Sequence, residues 1–369
     1  MKLTFTKESV EEYLGFISNV IPSKTSMEIL SNILLEAKES ELILTGTDLE
    51  IGIVVKVKGD IIEPGAITLP AAEFYNIVKN SSESEISLNT LSLNETEITT
   101  KNAEYKIKIL DAEEYPKIPE LADASFISVS ESELLTLFEK TSFAASNDEM
   151  RPILNGVYFN ISKDNMIGVG TDGKRLAYYK KNIEIETVGS NIKQIIPNKT
   201  VNELQKILNP KGKRQVKIYM VENKLFFNLD TILIVSKLID GTFPDYEQVI
   251  PKDYEKQVII NKTKLSQRIK EVNIFSGSKM DSMKFSLTSK KLSLSSTKSK
   301  GESRGYIDVV YEGEDFETAY NSQYLADLIK KVESDDIIIK FKEPLSSTLI
   351  IDNSVKNGEY LNIIMPMRI

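Results

Sequence analysis

The chain repeats itself three times, and no other feature of it constrains the fold so strongly. Each third opens with a short alternating strand and then an amphipathic helix. Leu3 and Phe5 precede Val10, Tyr13, Leu14 and Ile17; Ile127 and Val129 precede Leu134, Leu135, Leu137 and Phe138; Val258 and Ile260 precede Leu265, Ile269 and Val272. Spacings of three and four gather apolar side chains on one helical face, and a spacing of two gathers them on one face of a strand. Strand pairs follow at 33–37 with 41–48, at 157–161 with 165–172, and at 283–287 with 291–295. The register returns about every 120 residues and sets Asp48 and Asp172 at equivalent places. A second helix is expected in each third, at 71–79, 199–208 and 322–332, with further strands closing the unit.

A period of this kind signals one supersecondary unit used repeatedly. The expected class is α+β, with three tandem domains of two β-α-β-β-type halves each. Boundaries are expected near 121–124 and 250–252, giving domains 1–122, 123–250 and 251–369. Pattern alone leaves open a tandem array whose copies share no task.

Three absences narrow the chemistry. Among 369 residues there is no Cys, no His and no Trp. No disulfide, thiol nucleophile or imidazole base is available, and zinc sites draw mostly on the two missing ligand types. Ser-His-Asp and Cys-His catalysis are excluded. The first residues, Met1-Lys2-Leu3-Thr4-Phe5, alternate in polarity and lack the apolar stretch of a signal peptide. No run approaches the roughly 18 apolar residues of a membrane span. A cytoplasmic protein is expected, with no membrane partner.

The most conspicuous motif is Gly168-Val169-Gly170-Thr171-Asp172-Gly173-Lys174-Arg175, which satisfies G-x-G-x-x-G and nearly satisfies a phosphate loop. Both readings require a helix directly after the glycines, because its N-terminus holds the phosphate. Leu176-Ala177-Tyr178-Tyr179 reads instead as a strand, and Arg175 replaces the metal-binding hydroxyl. A turn between two strands accounts for the motif, whereas an enzyme would bind ATP or NAD there. The carboxylate pairs Glu113-Glu114, Asp335-Asp336 and Glu314-Asp315 lack a third ligand and read as solvated charge, so no metal, cofactor or catalytic residue is expected. Lys211-Gly212-Lys213-Arg214 reads as a phosphate contact or an exposed turn.

Charge is uneven along the chain. The net charge is −8; residues 1–122 carry 11 basic and 21 acidic side chains, 123–250 carry 16 of each, and 251–369 carry 19 and 17. A tight duplex binder needs an overall basic surface, and this chain lacks one. The helices near 199–214 and 262–270 are locally basic, which suits loose, sequence-blind contact with DNA. The apolar end, Ile363-Ile364-Met365-Pro366-Met367-Arg368-Ile369, reads as an edge strand completing the core or as a Met-lined pocket for a peptide.

Together, Thr45-Gly46-Thr47-Asp48-Leu49-Glu50, Met150-Arg151-Pro152-Ile153-Leu154-Asn155-Gly156, Thr171–Leu176, Ile239-Asp240-Gly241-Thr242-Phe243-Pro244-Asp245-Tyr246 and Met365-Pro366-Met367-Arg368 closely resemble the bacterial DNA sliding clamp family, the β subunits of DNA polymerase III. The resemblance covers the whole chain with similar spacing. It implies a non-catalytic processivity factor: a head-to-tail homodimer closed into a ring around duplex DNA, with helices lining the channel and sheets outside. Implied partners are the polymerase α subunit, the clamp loader, and other polymerases and repair proteins that present short peptides of the QLxLF type.

Carried across position by position, the family's peptide pocket comprises Leu154, Thr171, Gly173, Lys174, Arg175 and Leu176, then Pro244 and Val249, then Ile363, Met365, Pro366, Met367 and Arg368. Apolar members would hold the peptide's anchors, with Arg175 and Arg368 at the edge. Lys174 stands where His is common, and Gln248 where Arg is common. Lys24, Arg151 and Lys199 match DNA-contact positions, although Glu8, Glu11 and Glu12 make the first helix acidic. Ile274 and Phe275 match apolar residues at the dimer contact.

Overall fold

The computed structural model describes residues 1–369 apart from 120, 122–124, 189, 190, 252, 255, 276–280, 300 and 369. The expected boundaries at 121–124 and 250–252 therefore lie partly outside the described residues. Among the described residues, six α-helices form where apolar spacing places them: α1 (Lys7–Val20), α2 (Ala71–Asn80), α3 (Glu131–Thr141), α4 (Asn198–Ile207), α5 (Lys262–Val272) and α6 (Ser322–Lys331). Helix α1 buries Val10, Leu14, Ile17 and Val20, and α5 buries Leu265, Ile269 and Val272, a single stripe each. Asn261 and Asn321 cap α5 and α6, each side-chain oxygen accepting from the N–H three residues on.

The chain folds into two compact units. One consists of residues 1–133, 186–190 and 202–238; the other of 134–185, 191–201 and 239–369. In the first, a five-stranded antiparallel sheet runs from Asp60–Glu63 at one edge, through Lys2–Thr6, Glu85–Ser92 and Glu95–Thr99, to Glu104–Lys108 at the other. A nine-stranded sheet in the same unit joins strands of two repeats. Ile232–Lys237 pairs antiparallel with Ile51–Lys58, in the register Ile232↔Val55 to Ser236↔Ile51.

The second unit repeats the construction. Its eight-stranded sheet joins the second and third repeats where Arg175–Asn182 pairs with Gly358–Ile364, Leu176 opposite Ile363. Its four-stranded sheet ends on Gly301–Asp308 at one edge and Phe316–Asn321 at the other. The two compact units thus cut across the threefold repeat, because strands pair between repeats as well as within them.

The eight-stranded sheet explains the glycine motif. Gly168 and Gly170 lie inside the strand Asn165–Thr171, so neither forms a loop. A Cβ on Gly168 would stand 2.6 Å from Leu137, and one on Gly170 would strike the Thr141 carbonyl. The glycines admit α3 close to the sheet, a packing role that leaves no phosphate cradle. Lys140 of α3 then reaches the third repeat: its Nζ donates to the Lys331 carbonyl at 2.7 Å and stands 2.7 Å from Glu333 and 3.7 Å from the buried Asp352 carboxylate. Removing one partner of such a buried pair costs about 3–5 kcal/mol, since the other charge is left uncompensated.

Candidate functional site

The site grows from the link between Asn165–Thr171 and Arg175–Asn182. Asp172 accepts the N–H groups of Lys174 and Arg175 at 2.8 and 3.0 Å, and the Thr171 hydroxyl donates to the Arg175 carbonyl at 2.6 Å while accepting the Gly173 N–H at 3.1 Å. These bonds require a left-handed residue at Gly173, whose φ is +84°. The turn then presents the Lys174 carbonyl to the Met365 N–H at 2.8 Å.

Beneath it lies an apolar cluster. Leu176 and Ile363 are buried opposite each other, in company with Val169, Tyr178, Ile195, Phe243 and Leu349. Phe243 stacks on Tyr158 at 5.2 Å, and Tyr246 stands 5.8 and 5.7 Å from Tyr158 and Tyr178. Burial, with Tyr158 and the carboxylates of Glu247 and Asp245 adding to it, pushes the Tyr246 hydroxyl up to about 12, so it stays a neutral donor. At the surface, Met365 and Val249 are 43% and 42% exposed.

Most of the predicted pocket residues fall in this region. Leu154 is buried at the end of the single helical turn Pro152–Leu154, and its carbonyl accepts from the Ser146 N–H at 2.8 Å. Thr171 is buried; Gly173, Lys174, Pro244 and Arg368 are exposed; Pro366 and Met367 are half-buried. The end of the described chain is not an edge strand. Gly358–Ile364 runs between Arg175–Asn182 and Thr348–Asp352, and the residues beyond leave the sheet, Met367 N–H bonding the Ala319 carbonyl at 2.7 Å. Arg175 is drawn inward and held by protein groups, which the sequence did not reveal. A cleft of about 410 Å³ opens on the same aromatic residues, Tyr158, Phe243 and Tyr246, with Asn160, Lys193 and Glu247, and shares only Pro244 with the predicted set.

The predicted DNA contacts stand on three different segments. Lys24 is exposed beyond α1, and Lys199 is exposed in the first turn of α4. Arg151, just before the Pro152–Leu154 turn, donates to Asp148 Oδ2 at 2.9 Å and reaches the 171–175 turn through the Asp172 carbonyl at 3.2 Å. Arg214, from the basic stretch read as a phosphate contact or an exposed turn, is committed to the buried Glu131, with one N–H···O distance of 2.7 Å. The Arg214 guanidinium first, then the Asn209 and Arg214 N–H groups, hold the Glu131 carboxyl below its usual range. Lys211 and Lys213 remain exposed.

Ile274 is 73% exposed and Phe275 38%, on the turn Asn273–Phe275 after α5. Phe275 lies beside Gly301, where the edge strand of the four-stranded sheet begins. No group of three metal-ligating side chains exists among the described residues, and no described helix is long and apolar enough to cross a membrane.

Three family models match in succession: the DNA polymerase III beta subunit N-terminal domain at residues 1–119, its central domain at 128–245 and its C-terminal domain at 247–368. The chain is 29% identical over 370 residues to the beta sliding clamp of Chlamydia muridarum, covering 100% of this chain and 99% of the relative. It is 30% identical over 377 residues to that of Caulobacter vibrioides, covering 100% of each. Among solved structures, the sliding clamp of Bartonella birtlesii bound to griselimycin superposes with a TM-score of 0.93 at 30% identity, covering 100% of both chains.

Proposed function

Because the chain belongs to the bacterial DNA polymerase III β-subunit family, the DNA sliding clamps, which are non-catalytic processivity factors with DNA and polymerase as partners, we propose that it works as a cytoplasmic homodimeric ring that recruits its partners through one peptide pocket. Three domains at 1–122, 123–250 and 251–369 would give each subunit half of that ring. A ring holds DNA topologically, so a net charge of −8 is compatible with its task. Lys24 and Lys199, with the exposed Lys264 and Lys270 of α5, would make screened, sequence-blind contacts with phosphate.

Dimerisation by a heterologous contact draws support from two open sheet edges of different chemistry. Glu104–Lys108 ends one sheet and Gly301–Asp308 another, and unpaired edge strands are templates for pairing with a second chain. Exposed Ile274 and Phe275 beside the second edge would be covered in the same contact. Ile274→Glu is expected to weaken the dimer, read as a lower solution mass by light scattering; equal masses for variant and parent would count against this edge.

The observation that carries the recruiting role is exposed Met365 and Val249 near a buried floor of Leu176 and Ile363. Apolar anchors of a partner's peptide gain the burial these side chains lack. The loader, the polymerase α subunit and repair proteins would compete for this pocket. The test is fluorescence anisotropy of a labelled QLxLF-type peptide against the full chain and a chain lacking residues 365–369. A Kd on the order of micromolar, about −8 kcal/mol, that is lost on truncation is expected. A folded full-length chain that leaves the peptide unbound would sink the assignment.

A further inference from the structure

Arg175 begins the strand that carries the pocket floor, yet its side chain is only 10% exposed. Its Nε donates to Asp172 Oδ2 at 3.2 Å, one terminal nitrogen to Asp327 Oδ2 at 2.8 Å, and the other to the Phe143 carbonyl at 2.7 Å. The guanidinium also lies 4.3 Å from the Tyr324 ring centroid and 5.5 Å from that of Phe143. A guanidinium has five N–H donors in one plane, and here every nitrogen is engaged through at least one of them while burial keeps the group away from solvent.

Asp327 is itself held on both oxygens. Gln323, one turn earlier on α6, donates to its Oδ1 at 2.8 Å while Arg175 takes its Oδ2. Helix α6 is fixed by its Asn321 cap and by buried Leu325, Leu328 and Ile329. A continuous line of contacts therefore runs from the third-repeat core through Asp327 to Arg175. From there it reaches the 171–175 turn, the Phe143 carbonyl and the strand bearing Leu176.

We propose that Asp327 is a positioning residue of the peptide pocket, holding Arg175 so that the turn and the Leu176 floor keep one arrangement. The inference rests on the peptide-pocket reading above. It differs from a direct role for Arg175 in peptide contact, because the residue that matters stands on another element. Support of this kind governs how closely a preformed site matches its ligand, and its loss is felt chiefly in the rate of release.

The experiment measures the labelled QLxLF-type peptide against four full-length chains: the parent, Asp327→Ala, Arg175→Met and the double variant. Asp327→Ala is expected to raise Kd on the order of tenfold, the worth of one charge-assisted hydrogen bond, through faster release. Arg175→Met should cost at least as much, and the double variant no more than Arg175→Met alone, because both remove the same brace. Amide hydrogen exchange across 171–176 should quicken in all three. Should Asp327→Ala fold poorly, Asp327→Asn keeps the shape and is expected to show a smaller loss in the same direction.

Unchanged affinity in a folded Asp327 variant overturns the proposal, as does a double variant whose losses multiply. Tighter binding by Asp327→Ala also overturns it, since that would mean Arg175 had been freed to touch the ligand. A parent chain that ignores the peptide removes the pocket reading itself, whereas a parent that binds alongside an indifferent Asp327 variant removes only the positioning role.

Discussion

In the first repeat, Glu41–Thr47 passes to Ile51–Lys58 through Asp48, Leu49 and Glu50; in the second, Asn165–Thr171 passes to Arg175–Asn182 through Asp172, Gly173 and Lys174. The bonds match one for one. Thr47 donates to the Ile51 carbonyl at 2.9 Å as Thr171 does to that of Arg175 at 2.6 Å, and each Asp accepts two N–H groups at 2.8–3.0 Å. Even the next strand answers alike: Lys237 N–H bonds the Glu50 carbonyl at 2.7 Å, as Met365 N–H bonds that of Lys174 at 2.8 Å.

The two turns differ in what surrounds that frame. The first puts Ile51 and Gly52 where the second has Arg175 and Leu176, and the space before Gly52 is taken by Ile118 from the closing segment of the first repeat. The second keeps its own floor in Leu176, and Arg175 reaches across to α6. Leu49 also sits at φ +76°, a left-handed conformation that a branched side chain adopts at a cost, where the second turn has Gly173 at +84°. One backbone device thus occurs twice; a plug closes the first copy, and a brace holds the second in shape beside exposed apolar residues.

The largest test of this contrast removes the two aspartates. Asp172→Ala strips two N–H groups and Arg175 of a carboxylate, and should cost about 3 kcal/mol against about 1–2 for Asp48→Ala in urea unfolding. Equal costs would mean that the Arg175 brace adds no stability. Next, Gly52→Leu gives the first turn the second turn's floor. Its Cβ would stand 2.7 Å from Ile118 Cδ1, so a loss of about 1–3 kcal/mol is expected. Adding Ile118→Gly should then recover part of the loss, and strictly additive costs would deny that Ile118 is the plug. The smallest effect is backbone strain: Leu49→Asn should raise stability by about 0.5–1 kcal/mol, and Gly173→Leu should lower it by about 1, both read from urea midpoints.

Local features were legible before the structure, and distant ones were not. The helices follow from apolar spacing, and α2 and α6 begin on the expected residues, Ala71 and Ser322. The link at 172–174 follows from a strand-like run after the glycines. Family resemblance supplied the pocket set, which residue patterns alone had left as one of two options for the apolar end. The inward Arg175 was hidden because its partner Asp327 stands on α6, far along the sequence, and nothing in a charged helical residue tells which cation it meets. Tyr158, Tyr178 and Tyr246 were missed for a similar reason: their rings meet only after three separate segments pack. The division into units that cut across the repeats was equally hidden, since it depends on which strand edges pair.

That last feature has a mechanical side. Where Ile232–Lys237 lies against Ile51–Lys58, and Arg175–Asn182 against Gly358–Ile364, successive repeats are joined by ladders of backbone hydrogen bonds. A force sliding one repeat along the other loads many rungs together, so these joints should be stiff and slow to yield. An open sheet edge that meets another chain has no covalent continuity behind it. Under tension, a molecule assembled in this way would part between chains and keep its internal joints whole.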